Sequence, residues 1–149
     1  MSANCNDGLT PNPTERGQWQ PRPLLVEIAP GELIDKITIL EIKEVHFKDA
    51  EKLRNIRREL ASLMHVRQHR LPDSDTLREL FVDLKKVNLA LWNIEDEIRV
   101  CERQKDFGAR FVELARAVYV TNDQRAAIKR QISELLDSQI VEEKSYEAY

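Results

Sequence analysis

Between Leu77 and Cys101 the apolar residues Leu77, Leu80, Leu84, Val87, Leu91, Ile94, Ile98 and Cys101 recur at alternating steps of three and four. That is the period of one coiled-coil-like helical seam, because side chains three and four positions apart share a helix face. The same spacing recurs elsewhere. Leu33, Ile37 and Leu40 predict a helix opened by Pro30 and Glu32, although its many β-branched residues would also suit a strand. Leu53, Ile56, Leu60 and Leu63 predict a second helix, N-capped by Asp49 and ending before Pro72. The third starts near Asp73 or Ser74 and runs to about Arg103, with Phe81, Val82, Leu89, Trp92 and Val100 on further faces. A helix apolar on several sides is expected to be surrounded, so this one is read as the central element.

A fourth helix is expected after Asp106, with Phe111, Leu114, Ala115 and Val118 inward. Its pattern falters at Thr121, where Thr121 and Gln124 have the form of a capping box, and resumes at Ile128, Ile132 and Leu135, so a junction or a kink is predicted there. Leu24–Ile28 is a short extended segment too isolated to imply a sheet, and Ile140, Val141, Tyr146 and Tyr149 give the C-terminal tail enough apolar character to pack back on the bundle. Residues 1–23 hold four of the six prolines and two of the four glycines, and read as a flexible extension in which only Trp19 is suited to dock. The reading is therefore an all-α bundle of four or five helices over residues 24–149, built around a long central helix.

Composition narrows the function classes. The chain has 149 residues, 42% hydrophobic and 33% charged, as a single solvated helical domain would. A net charge of -3 gives no global attraction to nucleic acid, and the basic second helix lacks the interleaved aromatics of a nucleic-acid surface. Two distant cysteines, Cys5 and Cys101, suggest neither a disulfide framework nor a metal pair. With no signal-like start and no run approaching ~20 apolar residues, a cytoplasmic protein without a membrane span is expected. Phosphate loops, catalytic triads and Cys/His metal spacings are absent, so no metal or cofactor is expected.

Two polar groups could carry chemistry. Asn88, Trp92, Glu95 and Arg99 follow one another at steps of four, three and four, a second stripe beside the long seam. Covered by another helix, Glu95 would be desolvated and suited to acid/base work, making it the candidate catalytic residue; uncovered, it forms a surface ion pair with Arg99. Around the fourth helix lie Arg110, Arg116, Tyr119, Asn122, Asp123, Arg125 and Lys129, of which Asn122 and Arg125 continue the inward stripe from Val118. Polar side chains there require partners, for which the acidic face of the third helix is the expected supply, or else an anionic ligand. His65 and His69 stand four apart but away from their helix's seam. Glu41 with Glu44 and Glu134 with Asp137 have the spacing of magnesium-holding pairs, which any charged helix produces by chance.

Pro30–Lys43 (PGELIDKITILEIK), Ala90–Ile98 (ALWNIEDEI), Asp106–Ala126 (DFGARFVELARAVYVTNDQRA) and Val141–Tyr146 (VEEKSY) resemble a family of small bacterial proteins catalogued as a domain of unknown function. The resemblance spans about Leu24 to Tyr149 and implies no established activity. It implies a setting near surface-polysaccharide assembly, which suits either a sugar-phosphate or nucleotide-sugar ligand or an adaptor that holds a glycosyltransferase. Two functions are therefore expected to compete. One is a non-enzymatic module whose pocket of Asn88, Trp92, Glu95, Arg99, Arg116, Tyr119, Asn122 and Arg125 recognises an anionic small molecule or a partner segment. The other is a small enzyme with Glu95 as acid/base and the arginines as an anion clamp. A homodimer through the Leu77–Cys101 seam is a further expectation.

Overall fold

The computed structural model describes residues 24–145 and contains four helices among them: α1 (Pro30–His46), α2 (Ala50–Arg70), α3 (Asp75–Gln104) and α4 (Ala109–Leu135). None of them is long and apolar enough to cross a membrane. Expectations for Cys5, Trp19, Tyr146 and Tyr149 fall outside the described residues.

Each boundary has a local cause. Pro30 occupies the first turn of α1, where its missing N–H has no carbonyl to serve. Asp49 caps α2, its carboxylate accepting from Lys52 N at 2.8 Å, and Ser74 caps α3 by accepting from Leu77 N at 3.2 Å. Asp106 falls two residues short of its expected role: the N-cap of α4 is Gly108, whose N–H is held by Asp106 Oδ1 at 3.0 Å. Removing the α2 cap in Asp49→Ala is expected to cost about 1 kcal/mol, read as a lowered urea midpoint at unchanged slope.

Of the four or five helices expected, the described residues form four: α4 is one continuous helix through Thr121, so no junction falls there, and inside it the Thr121–Gln124 pair has no orphan N–H to cap. One architectural expectation is corrected. The surrounded helix is α1, not α3. α1 packs against α2, α3 and α4, and buries eight of its 17 residues, whereas α3 packs against α1 and α4 and leaves Val82, Leu89 and Val100 exposed. α2 lies along α1 and reaches α3 through the Arg67 guanidinium, 4.5 Å from the centre of the Phe81 ring.

The core is built from Ile34 of α1, Leu77 and Leu84 of α3 and Ile132 of α4, with Leu71, Leu80, Phe81, Ile128 and Leu136 packed around it. Of the long seam, Leu77, Leu84, Leu91 and Cys101 are buried within the chain, and Leu80, Val87, Ile94 and Ile98 are partly buried. Leu24–Ile28 forms no strand, and Ile140 and Val141 remain partly exposed.

Candidate functional site

One carboxylate ties three helices together. Asp35 sits on α1 between the core residues Ile34 and Ile37 and is 3% exposed. Thr38, one turn on, donates its hydroxyl to the Asp35 carbonyl at 2.8 Å. From α3, Asn88 Nδ2 donates to Asp35 Oδ1 at 2.8 Å and to Thr38 Oγ1 at 2.9 Å. From α4, Arg125 closes a two-pronged pair, Nε to Oδ1 at 2.9 Å and Nη2 to Oδ2 at 2.5 Å. The hydrogen bond to Asp35 holds the Arg125 guanidinium still more firmly protonated than usual, against the opposing effect of burial. This network answers the partner problem of Arg125, but its acid comes from α1 rather than from the expected acidic face of α3.

Outside the network lies a groove of about 500 Å³. Ile39 and Ile42 of α1 and Leu91 and Trp92 of α3 line it with apolar side chains, and Asn88, Glu95, Asp96, Arg99, Asn122 and Arg125 with polar ones. The Glu95 stripe and the Arg125 region therefore meet. Trp92 packs beside the rings of His46 and Phe47, at 4.9 and 6.3 Å between centres, and its indole Nε1 is buried with no hydrogen-bond partner among the described residues. Among the described residues no helix covers Glu95: its side chain is 46% exposed and pairs with Arg99 at 3.0 Å, the surface ion pair of the two readings.

Arg116 and Tyr119 are not in this groove. Arg116 lines a separate shallow depression with Ala109, Val112 and Glu113, and Tyr119 is 40% exposed. The reason is periodicity. Nine residues separate Arg116 from Arg125, about two and a half helical turns, which puts the two guanidinium groups on opposite sides of α4. Asp35, Thr38, Ile39, Ile42 and Asp96 belong to the site and were not expected. Asp35 had a signal, a charged residue flanked by core positions; Ile39 and Ile42 carried none beyond their share in packing.

A second polar cluster joins the α1 N-terminus to α4 and the tail. Lys129, whose side chain is 11% exposed, pairs with Glu32 and, at 2.8 Å, with Glu142; Gly31 N donates to Ser133 Oγ at 3.2 Å. The tail thus straps over α4 beside an open cavity of about 380 Å³, lined by Ala126, Ala127 and Val141 together with charged side chains such as Glu32, Lys129 and Glu142. Burial alone would lower the Lys129 ammonium, but hydrogen bonds to Glu142 and Glu32 outweigh it and raise its pKa. The hydrogen bond from Lys129 holds Glu142 below the ordinary carboxylate value of 4.5. A lowered carboxylate stabilises the folded form above that value and ceases to as pH falls past the folded one. The strap is therefore expected to stay docked at neutral pH and come free below pH 4.5, seen as hydrogen exchange gained at residues 138–145 before the core exchanges.

Among the described residues no group of three His, Cys, Asp or Glu side chains could hold a metal. His65 and His69 stack at 4.1 Å on the exposed side of α2, while Glu41 and Glu44 are taken by Lys85 at 2.7 Å and Arg57 at 2.8 Å. Residues 24–149 match a family described as "Family of unknown function (DUF6165)". No curated protein and no solved structure matches the chain.

Proposed function

This chain belongs to the DUF6165 family, a family of unknown function, and we propose that it is a non-enzymatic binding module of the cytoplasm whose groove receives a segment of a partner protein. The observation that carries this reading is the makeup of the groove: apolar side chains that include Trp92, beside polar ones whose arginines are already paired. Apolar surface with Trp and Arg among polar groups is the makeup of a protein interface. The anion reading has less support. Arg125 is neutralised by Asp35, Arg99 pairs with Glu95, and Arg116 faces away, so a free phosphate would have to displace a carboxylate to gain a cation. Acid/base work by Glu95 has less still, because a half-exposed, ion-paired carboxylate lacks the water-excluded setting that tunes such a group. In the polysaccharide-assembly setting that the resemblance implies, the module is an adaptor that holds an assembly enzyme.

A photo-crosslinking residue at position 122, with a control at position 116, tests the reading in cells. An adduct of defined mass from position 122 that Trp92→Ala abolishes, with none from position 116, is the expected result. A thermal-shift screen against sugar phosphates and nucleotide sugars, with and without magnesium, supplies the contrary outcome. A ligand at a hundred times its dissociation constant adds about 2.7 kcal/mol, so a shift of several degrees that Asn122→Ala removes would replace the partner segment with a small anion. Turnover of such a ligand, lost in Glu95→Gln with the fold intact, would make the chain an enzyme.

A further inference from the structure

The groove between α1, α3 and α4 is lined by helix faces. Its α3 residues Asn88, Leu91, Trp92, Glu95 and Arg99 follow one another at steps of three, one, three and four, which is one face of one helix. α1 and α4 each add a pair three apart, Ile39 with Ile42 and Asn122 with Arg125. All of these residues lie inside their helices, so their main-chain N–H and C=O groups are spent within α1, α3 and α4. From Asn88 to Arg99 the α3 face is about 17 Å long, the length of about three helical turns. α1 stops at His46, whose ring lies beside Trp92, while α3 goes on to Gln104, so Arg99 stands beyond the end of the helix that packs on α3 below it. Charge is unbalanced there. Glu95 pairs with Arg99 and Arg125 with Asp35, which leaves Asp96 as a groove carboxylate with no cation among the described residues.

We propose that the partner segment in this groove is an amphipathic α-helix lying against α3, with apolar side chains three and four apart on Leu91 and Trp92 and a lysine or arginine opposite Asp96. This rests on the groove being a partner's seat and names the chemistry of what sits there. An extended segment would find no main-chain partner along faces whose own bonds are internal, whereas a helix brings its main chain already satisfied and needs only side-chain fit. Packing of side-chain rows three and four apart is how one helix receives another, and α3 and α4 already hold α1 in this way around Ile34. The cation follows from Asp96, which a basic side chain on the partner would neutralise. The ends of the chain itself do not supply such a helix. Residues 1–23 carry Pro11, Pro13, Pro21 and Pro23, and no proline-free run among them holds more than two large apolar side chains. Residues 146–149 make barely one turn.

The partner segment captured from position 122, synthesised alone and titrated into the full chain, tests the helix. Far-ultraviolet circular dichroism is expected to show helix gained on mixing, beyond the sum of the separate spectra. A proline at the centre of the peptide is expected to weaken binding about a hundredfold, the cost of breaking one helix. Asp96→Lys is expected to weaken binding about threefold, and exchanging the facing basic residue of the peptide for glutamate to restore it in that variant. Glu79→Lys, on α3 outside the groove, should change nothing. No gain of helix, tolerance of the proline, or unchanged affinity in Asp96→Lys would overturn the helix, while the adduct from position 122 kept the groove as a partner's seat. A captured segment from residues 1–23 or from a second copy would overturn it as well. No adduct from position 122 would remove the seat, and the helix with it.

Discussion

Replacing Arg125 with alanine is expected to remove about 3–5 kcal/mol of folding stability, against a total of roughly 5–15 for a domain of this kind. The loss comes less from a missing attraction than from what remains behind. The Asp35 side chain is 4% exposed, and without Arg125 it keeps, among the described residues, only the amide of Asn88 as a side-chain donor for a whole negative charge. Asp35→Ala is expected to cost less, about 2 kcal/mol, because the Arg125 side chain is 29% exposed and can turn into the groove to reach water. Arg125→Lys keeps the charge but not the two-pronged fork and should fall between wild type and Arg125→Ala. The pair Asp35→Leu with Arg125→Met should regain most of the loss, since an apolar replacement leaves neither charge stranded. Urea unfolding of the four variants checks the order. The deficit of Arg125→Ala should persist in 1 M salt, which screens exposed pairs such as Lys36–Glu59 far more than a buried one. Equal losses for Asp35→Ala and Arg125→Ala would mean that both ends reach water alike. Because Arg125 holds the frame, binding lost in Arg125→Ala reports the frame; Trp92 and Asn122 report the groove.

The elements were legible in the sequence because they rest on local causes. The Leu77–Cys101 period, the caps at Asp49 and Ser74 and the prolines at positions 30 and 72 act within a turn or two of the residue that carries them. Which helix lies at the centre was not legible in the same way. α3 has the longer and cleaner stripe, yet α1 is surrounded, because centrality depends on which faces three other helices cover and the strongest single pattern does not reveal that. The site divides along the same line. Asn88, Trp92, Glu95 and Arg99 share a helix face by spacing alone, and Asn122 and Arg125 lie three apart on another. That these faces meet required the tertiary fold. The separation of Arg116 from Arg125, by contrast, could have been read from helical periodicity. Asp35 was the informative omission: a charge flanked by core positions needs a buried cation, and Arg125 was the inward-facing polar residue whose partner was expected on α3 instead.

Gly31→Ala is expected to cost about 2–3 kcal/mol, although an added methyl in a helix normally stabilises it by up to about 1 kcal/mol. The two effects have opposite signs, and the neighbour decides between them. A Cβ on Gly31 would fall inside the contact distance of the Lys129 carbonyl oxygen and lie 2.9 Å from both the carbonyl carbon of Lys129 and Ser133 Oγ. The hydroxyl can rotate away. The carbonyl belongs to the backbone of α4 and cannot move without the helix. α1 and α4 must then separate where Gly31 N is bonded to Ser133 Oγ, one turn from the Asp35–Arg125 pair. Separation loosens that pair as well, so Gly31→Ala and Arg125→Ala together should cost less than the sum of the two. Ser133→Ala is the control, losing one hydrogen bond without a clash, for about 1 kcal/mol. Adding it to Gly31→Ala should bring no rescue, because the obstructing atom is the Lys129 carbonyl. Urea unfolding of the single and double variants reads all of this. A Gly31→Ala protein as stable as wild type would mean that the contact between α1 and α4 yields at little cost, and that the ion pair rather than the glycine fixes the helix spacing.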